Sequence, residues 1–409
     1  MLKKIVIGLI TLILFTPLTF THAKLLQPKN LVYKGAFKIH GEEETSPYTY
    51  SYGGQALAFY PQGDPSGSSD NYSGSLYITS HDQFQYISEI TIPKPIISKN
   101  LDDLNSAETL QGFTDIKDNL FGELELPTVG LTYLAKQKDQ TSGKIYYTWG
   151  QHMQEGERNP AYGFFNLNLS NPQVQGPWKM AKQDNYVTTK YLFNIPKSWA
   201  KKYTPGKRLV TGRYRDGGQG AQGPSLFAYN LNEPLQTGSS IKNTTLLKYQ
   251  SYYQDPNAEN ALNNYKHSDS WSGGAWLTTK DKSAVIFVGI KGIGNTWYGY
   301  YDGTVWPDYP PYPEVGPGER GWWSENFEAQ ILFYKAKDLA KVVEKKIPSY
   351  KPQPYAIKKI EKRMFFTPTT EFRRLGGISY DHKHNRLYIT EFRGNQNNQA
   401  PIFHVWKVK

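Results

Sequence analysis

The chain has 409 residues, no cysteine and a formal net charge of +11. Such a length can bury a core large enough to dispense with disulfides, and the absence of thiols excludes cysteine nucleophiles, Cys-type zinc sites and a lipid-attachment cysteine. Aromatic residues make up 15%, with 31 Tyr, and Gly and Pro number 36 and 26, a profile of short strands and tight turns.

Lys3 and Lys4 precede an apolar run from Ile5 to Phe20, and Thr21, His22 and Ala23 follow with small residues at the positions a signal peptidase reads. The pattern predicts a secretory signal over 1–23, with an uncleaved anchor as the alternative. No later stretch approaches the roughly 20 apolar residues of a spanning helix, so a mature chain beginning at Lys24 is expected to lack a transmembrane segment. Its expected location is periplasmic or extracellular.

Next in order, Leu31–Ile39 reads as a lone strand that belongs to no complete unit. Five units follow, each built on the same plan. Four open on a glycine-led strand, at Gly53–Phe59, Gly130–Leu134, Gly273–Thr278 and Gly376–Asp381; the opening strand of the third unit cannot be located from the pattern. A second strand then ends in polar groups, in Leu76–Asp82, Ile145–His152, Leu209–Asp216, Val285–Lys291 and Leu387–Arg393. A third strand comes after it, in Tyr86–Ile92, Gly163–Leu169, Ser225–Leu231, Gln330–Tyr334 and Ile402–Trp406. Only Ser198–Lys202 and Asp338–Lys345 read as helical.

These units predict an all-β single domain over 24–409, a five-bladed β-propeller. The last unit has only three strands, and the spare N-terminal strand would complete it, closing the ring and hiding its sheet edges. A β-sandwich or a six-bladed ring is the alternative.

In a propeller blade the first strand starts, and the second ends, on one face. That face should carry a ring of His81, Asp82, Gln151, His152, Arg213, Arg215, Asp216, Lys291, Glu391 and Arg393, backed by Arg373 and Arg374. Cations outnumber acids there, which points to a carboxylate, sulfate or phosphate ligand. The fourth unit adds an aromatic insertion over 293–328, expected as a long loop walling the mouth. Its Trp297, Tyr298, Trp322 and Trp323 offer flat faces for stacking sugars.

The resulting expectation is binding of an acidic oligosaccharide or another small anion. Second comes a polysaccharide lyase in which His81 or His152 removes the proton beside a cation-neutralised uronate carboxylate. A glycoside hydrolase drawing two carboxyls from Asp82, Asp216 and Glu391 ranks lower. Between Lys335 and Arg363 ten basic residues face three acids, a segment suited to envelope or protein docking. No metal or cofactor is expected, although Asp64–Asp70 has the composition of a calcium loop. The sequence carries no nucleic-acid reading module.

Several segments carry a further signal: Tyr52–Phe59, Ser75–His81, Thr211–Gly218, Gly223–Tyr229, Gln330–Tyr334, Asp338–Ala340, Pro352–Ala356 and Leu375–Asp381. Together they resemble an uncharacterised bacterial family of secreted β-propeller proteins. The resemblance implies the fold and export and transfers no catalytic residue. Members of that family carry cysteines in the fourth-unit insertion, where this chain has none.

Overall fold

The computed structural model describes residues 23–409 except 42–45, 66, 68–69, 118–119, 121–126, 138–139, 152–157, 216–221, 232–235, 251–258, 308–309, 313–317, 319 and 367–373. The expected leader therefore lies, apart from Ala23, outside the described residues. Among the described residues the strands form five sheets.

Blade 1 holds Leu57–Tyr60, Ser75–Thr79, Ile87–Ile90 and Thr109–Thr114 in order from the inside. Blade 2 holds Pro127–Leu134, Lys144–Gln151, Tyr162–Phe165 and Gln175–Met180, with Ser240–Ile241 added in parallel at its edge. Blade 3 runs from Tyr191–Asn194 through Leu209–Gly212 and Gln222–Tyr229 to Asn243–Tyr249. Blade 4 runs from Ser270–Thr278 through Lys282–Gly299 and Gly321–Tyr334 to Ala356–Lys359. Blade 5 takes Leu375–Asp381, Arg386–Asn395 and Ala400–Val408 from the end of the chain and Leu31–Lys38 from its beginning.

Each innermost strand packs on the next, and that of blade 5 returns to that of blade 1. The ring is a five-bladed propeller. Leu31–Lys38 pairs antiparallel with Ala400–Val408, in a register that sets Tyr33 against Trp406 and Lys38 against Ile402, so the spare strand closes the last blade as expected.

The large apolar clusters lie between neighbouring blades. Ile78, Phe59 and Phe403 fill the seam between blades 1 and 5, Tyr147 and Tyr77 that between 1 and 2, and Ile286, Ile331 and Ile389 that between 4 and 5. Five sheets converging on one axis leave little room for side chains at their inner ends, and this explains the leading glycines. A Cβ on Gly377 would lie 2.5 Å from the Leu57 nitrogen, and one on Gly130 would lie 2.8 Å from the Tyr191 Cα.

Blade 3 departs from the pattern because it is the blade its neighbours make room for. Its inner strand presents the bulky Tyr191 and Phe193, and the space comes from Gly130 of blade 2 and Gly274 of blade 4. The chain itself shows no glycine signal at that strand.

The fourth-unit insertion also differs from expectation. Its two ends are not loop but continue the paired strands, from Lys291 against Glu328 to Gly299 against Gly321 with a register shift between Ile293 and Thr296, and the strands leave only 300–320 between them. Thr, Trp and Tyr at 296–298 opposite Trp322 and Trp323 give cross-strand pairs that favour a ladder over a loop. The two expected helices are present as Lys197–Tyr203 and Ala336–Val343. In the latter, Leu339 is buried against the seam between blades 3 and 4.

Candidate functional site

The inner strands begin, and the second strands end, at one face. The clearest marker of its centre is Lys190, the residue just before the inner strand of blade 3. Its Nζ lies 3.4 Å from Oε1 of Gln55, which precedes the inner strand of blade 1. Blades 1 and 3 are not neighbours, so this contact crosses the mouth.

Lys190 Nζ also sits 5.3 Å from the centroid of the Tyr214 ring, and the guanidinium of Arg215 sits 5.2 Å from the same ring. One aromatic ring thus gathers two cations. Tyr214 is fixed by its backbone, whose carbonyl accepts from Trp271 N–H at 2.6 Å, and Arg215 bridges to Ser270 of blade 4. Arg213, the preceding cation, is buried and contacts the Arg215 carbonyl through Nε, which makes it a support for the turn.

Other ring members are drawn into the blades. Lys291 Nζ lies 2.8 Å from Oδ2 and 3.0 Å from Oδ1 of the buried Asp269, and it donates to the Asn264 carbonyl at 2.6 Å. Burial outweighs Lys291 and pushes the Asp269 carboxyl above its ordinary range. Glu391 is buried, accepting from His404 at 2.8 Å and from the Phe365 and Phe366 amides at 2.9 and 2.6 Å. His404 in turn meets the Tyr33 hydroxyl at 3.0 Å. Arg374 is buried and grips Glu361 with two nitrogens, one at 3.0 Å. Arg393 is half-buried beside Phe366.

His81 is buried between Tyr52 and Phe84, with Nδ1 3.2 Å from Asp82 Oδ1. Burial lowers its pKa more than Asp82 raises it, so the imidazole is neutral near pH 7. Gln151 ends the second strand of blade 2. His152, Asp216 and Arg373 lie outside the described residues.

The aromatic arm has two faces. Trp323 is buried in the seam between blades 4 and 5 with Trp297 packed against it, so these two rings anchor the arm. Tyr298 and Trp322 lie on the other face, 5.4 Å apart edge to face, and Trp322 stacks on His267 at 4.3 Å. Arg320 reaches over Trp306 at 4.2 Å and Tyr298 at 5.8 Å. This face combines flat rings with a cation, the chemistry of a sugar carrying negative charge.

Sequence reading missed Lys190, Gln55, Tyr214 and His267. Lys190 directly precedes an inner strand and Gln55 stands two residues before one, a signal usable in blade 1 and hidden in blade 3 by its missing glycines. No cluster of three or more metal-ligating side chains occurs among the described residues. Asp64 and Asp70 accept backbone amides within their own turns, from Gly67 and Tyr72. Among the described residues no helix is long and apolar enough to cross a membrane. No family model matches the chain, and no curated protein matches it.

Proposed function

We propose that this propeller binds an anionic ligand, in the first place an acidic glycan, at its axial mouth, and that it works outside the cytoplasm. The observation that carries the reading is the pair of cations on Tyr214, one of which reaches across the opening. A uronate could place its carboxylate between Lys190 and Arg215 and its ring on the Tyr214 side, with Tyr298 and Trp322 available to a longer chain. Export rests on the basic and apolar leader and on the family resemblance, and envelope association through 335–363 rests on exposed cations such as Lys346 and Lys359.

The test is a thermal-shift titration with oligouronates and their neutral counterparts. Acidic oligomers should raise the melting temperature, and Lys190→Ala should remove the shift while leaving the unliganded melting temperature near wild type. A shift that neutral oligomers reproduce would overturn the anionic reading.

A lyase is the second reading, favoured by the neutral His81 beside Asp82. Its signature is rising ultraviolet absorbance of unsaturated product from uronate polymers, lost in His81→Ala. A flat trace over a polymer panel leaves binding alone.

A further inference from the structure

The face opposite the mouth carries a second concentration of charge. Between blades 5 and 1 lies a cleft of about 740 Å³ with Lys34, Lys94, Arg386, Lys407 and Lys409 along its walls, against Asp70 alone. The size falls within the roughly 300–1,000 Å³ of small-molecule sites. Its residues come from separate places in the chain: the closing strand, the end of blade 1's third strand, the first hairpin of blade 5 and the last residues.

Among the described residues none of these five cations forms a salt bridge. Arg386 and Lys407 are direct cross-strand partners in blade 5, a placement that like charges make unfavourable. Lys407 is further pressed by burial and by Arg386 and Lys34, all of which lower its pKa; Asp381 acts the other way. Asp381 is itself bound to His384 at 2.7 Å. Asp381 also stands directly across the strand pair from Arg386, so one further acid offsets part of this charge and the cations remain in excess.

Two of them are also held in position. The Arg386 guanidinium stacks on Tyr72 with its carbon 4.0 Å from the ring centroid, and Lys407 Nζ donates to the His384 carbonyl at 2.6 Å. A fixed guanidinium surrounded by ammonium groups suits phosphate oxygens: the planar fork binds two at once and the lysines supply point charge. The cleft exceeds the space of one phosphate, and none of the exposed large apolar side chains lines it, which favours a soluble ligand over a lipid surface.

We propose that this cleft is a second binding site, distinct from the mouth, for a soluble ligand carrying several closely spaced phosphates. Isothermal titration of the purified protein with inorganic tripolyphosphate tests it, with citrate at matched ionic strength as the carboxylate comparison. Lys34→Gln with Lys94→Gln, both on exposed side chains, should weaken tripolyphosphate binding by about tenfold or more. Lys201→Gln with Lys337→Gln removes the same charge elsewhere and should change little, and Lys190→Ala at the mouth should leave the affinity intact. Absence of binding to the wild-type protein, equal weakening by the two double variants, or citrate binding as tightly would each overturn the proposal. Pelleting with phosphatidic-acid vesicles in the absence of tripolyphosphate binding would overturn the soluble ligand.

Discussion

The rim of the mouth and the opposite cleft are both rich in cations, and they treat them differently. At the rim Lys291 meets Asp269 and Arg374 meets Glu361, each acid or base taken out of water only with its partner. In the cleft five cations line the walls with one acid, Asp70. Charge buried in a seam must be matched, because an unpaired buried ion costs several kcal/mol. Charge on an open concave wall is tolerated unmatched, and there it can serve recognition.

The contrast breaks most sharply at Lys291. Lys291→Ala strands the buried Asp269 carboxylate, and chemical denaturation should show a loss of about 3–5 kcal/mol. A loss below about 1 kcal/mol, the usual worth of an exposed pair, would place Lys291 with the cleft lysines. A smaller effect belongs to His81. Burial favours its neutral form in the folded chain, so its contribution is complete above the unfolded-state pKa of about 6.5 and is lost as pH falls through the depressed folded value. Stability measured from pH 8 down to 5 should therefore decline less steeply in His81→Asn than in wild type, and identical slopes would remove His81 from the buried set. The smallest effect is expected in the cleft, where Lys34→Gln with Lys409→Gln should leave stability within about 0.5 kcal/mol of wild type or slightly above it. A clear loss of stability would show that those lysines hold the fold together.

How far the sequence could be read follows the same division. Glycine-led strands betray four blades because crowding at the axis excludes a Cβ, as at Gly377 against Leu57. Blade 3 hides its inner strand because the glycines that admit Tyr191 and Phe193 sit in blades 2 and 4, and Lys190 is hidden with it. Second-strand ends were legible as polar, yet polarity does not tell an Arg215 set beside the Tyr214 ring from a Lys291 paired with an acid; that depends on Asp269, 22 positions away. The aromatic arm reads as a loop because Gly and Pro interrupt it, while its strand pairing depends on partners across the hairpin. The cleft left no local trace, since its cations are brought together only when the first and last segments of the chain meet.

That meeting has a kinetic consequence. Tyr33 and His404, joined by a hydrogen bond across the closing sheet, are 371 positions apart. Lys24 and Leu25 likewise lie beside Lys282 and Ser283 of blade 4. Contacts of such long range carry a large loop-closure cost and form late. The first four blades can therefore assemble while the ring is still an open arc, and Leu31–Lys38 acts as its clasp. Refolding should end in one slow closing step, and the cleft, which draws Lys34 from the clasp and Lys407 from the strand it fastens, can exist only after that step.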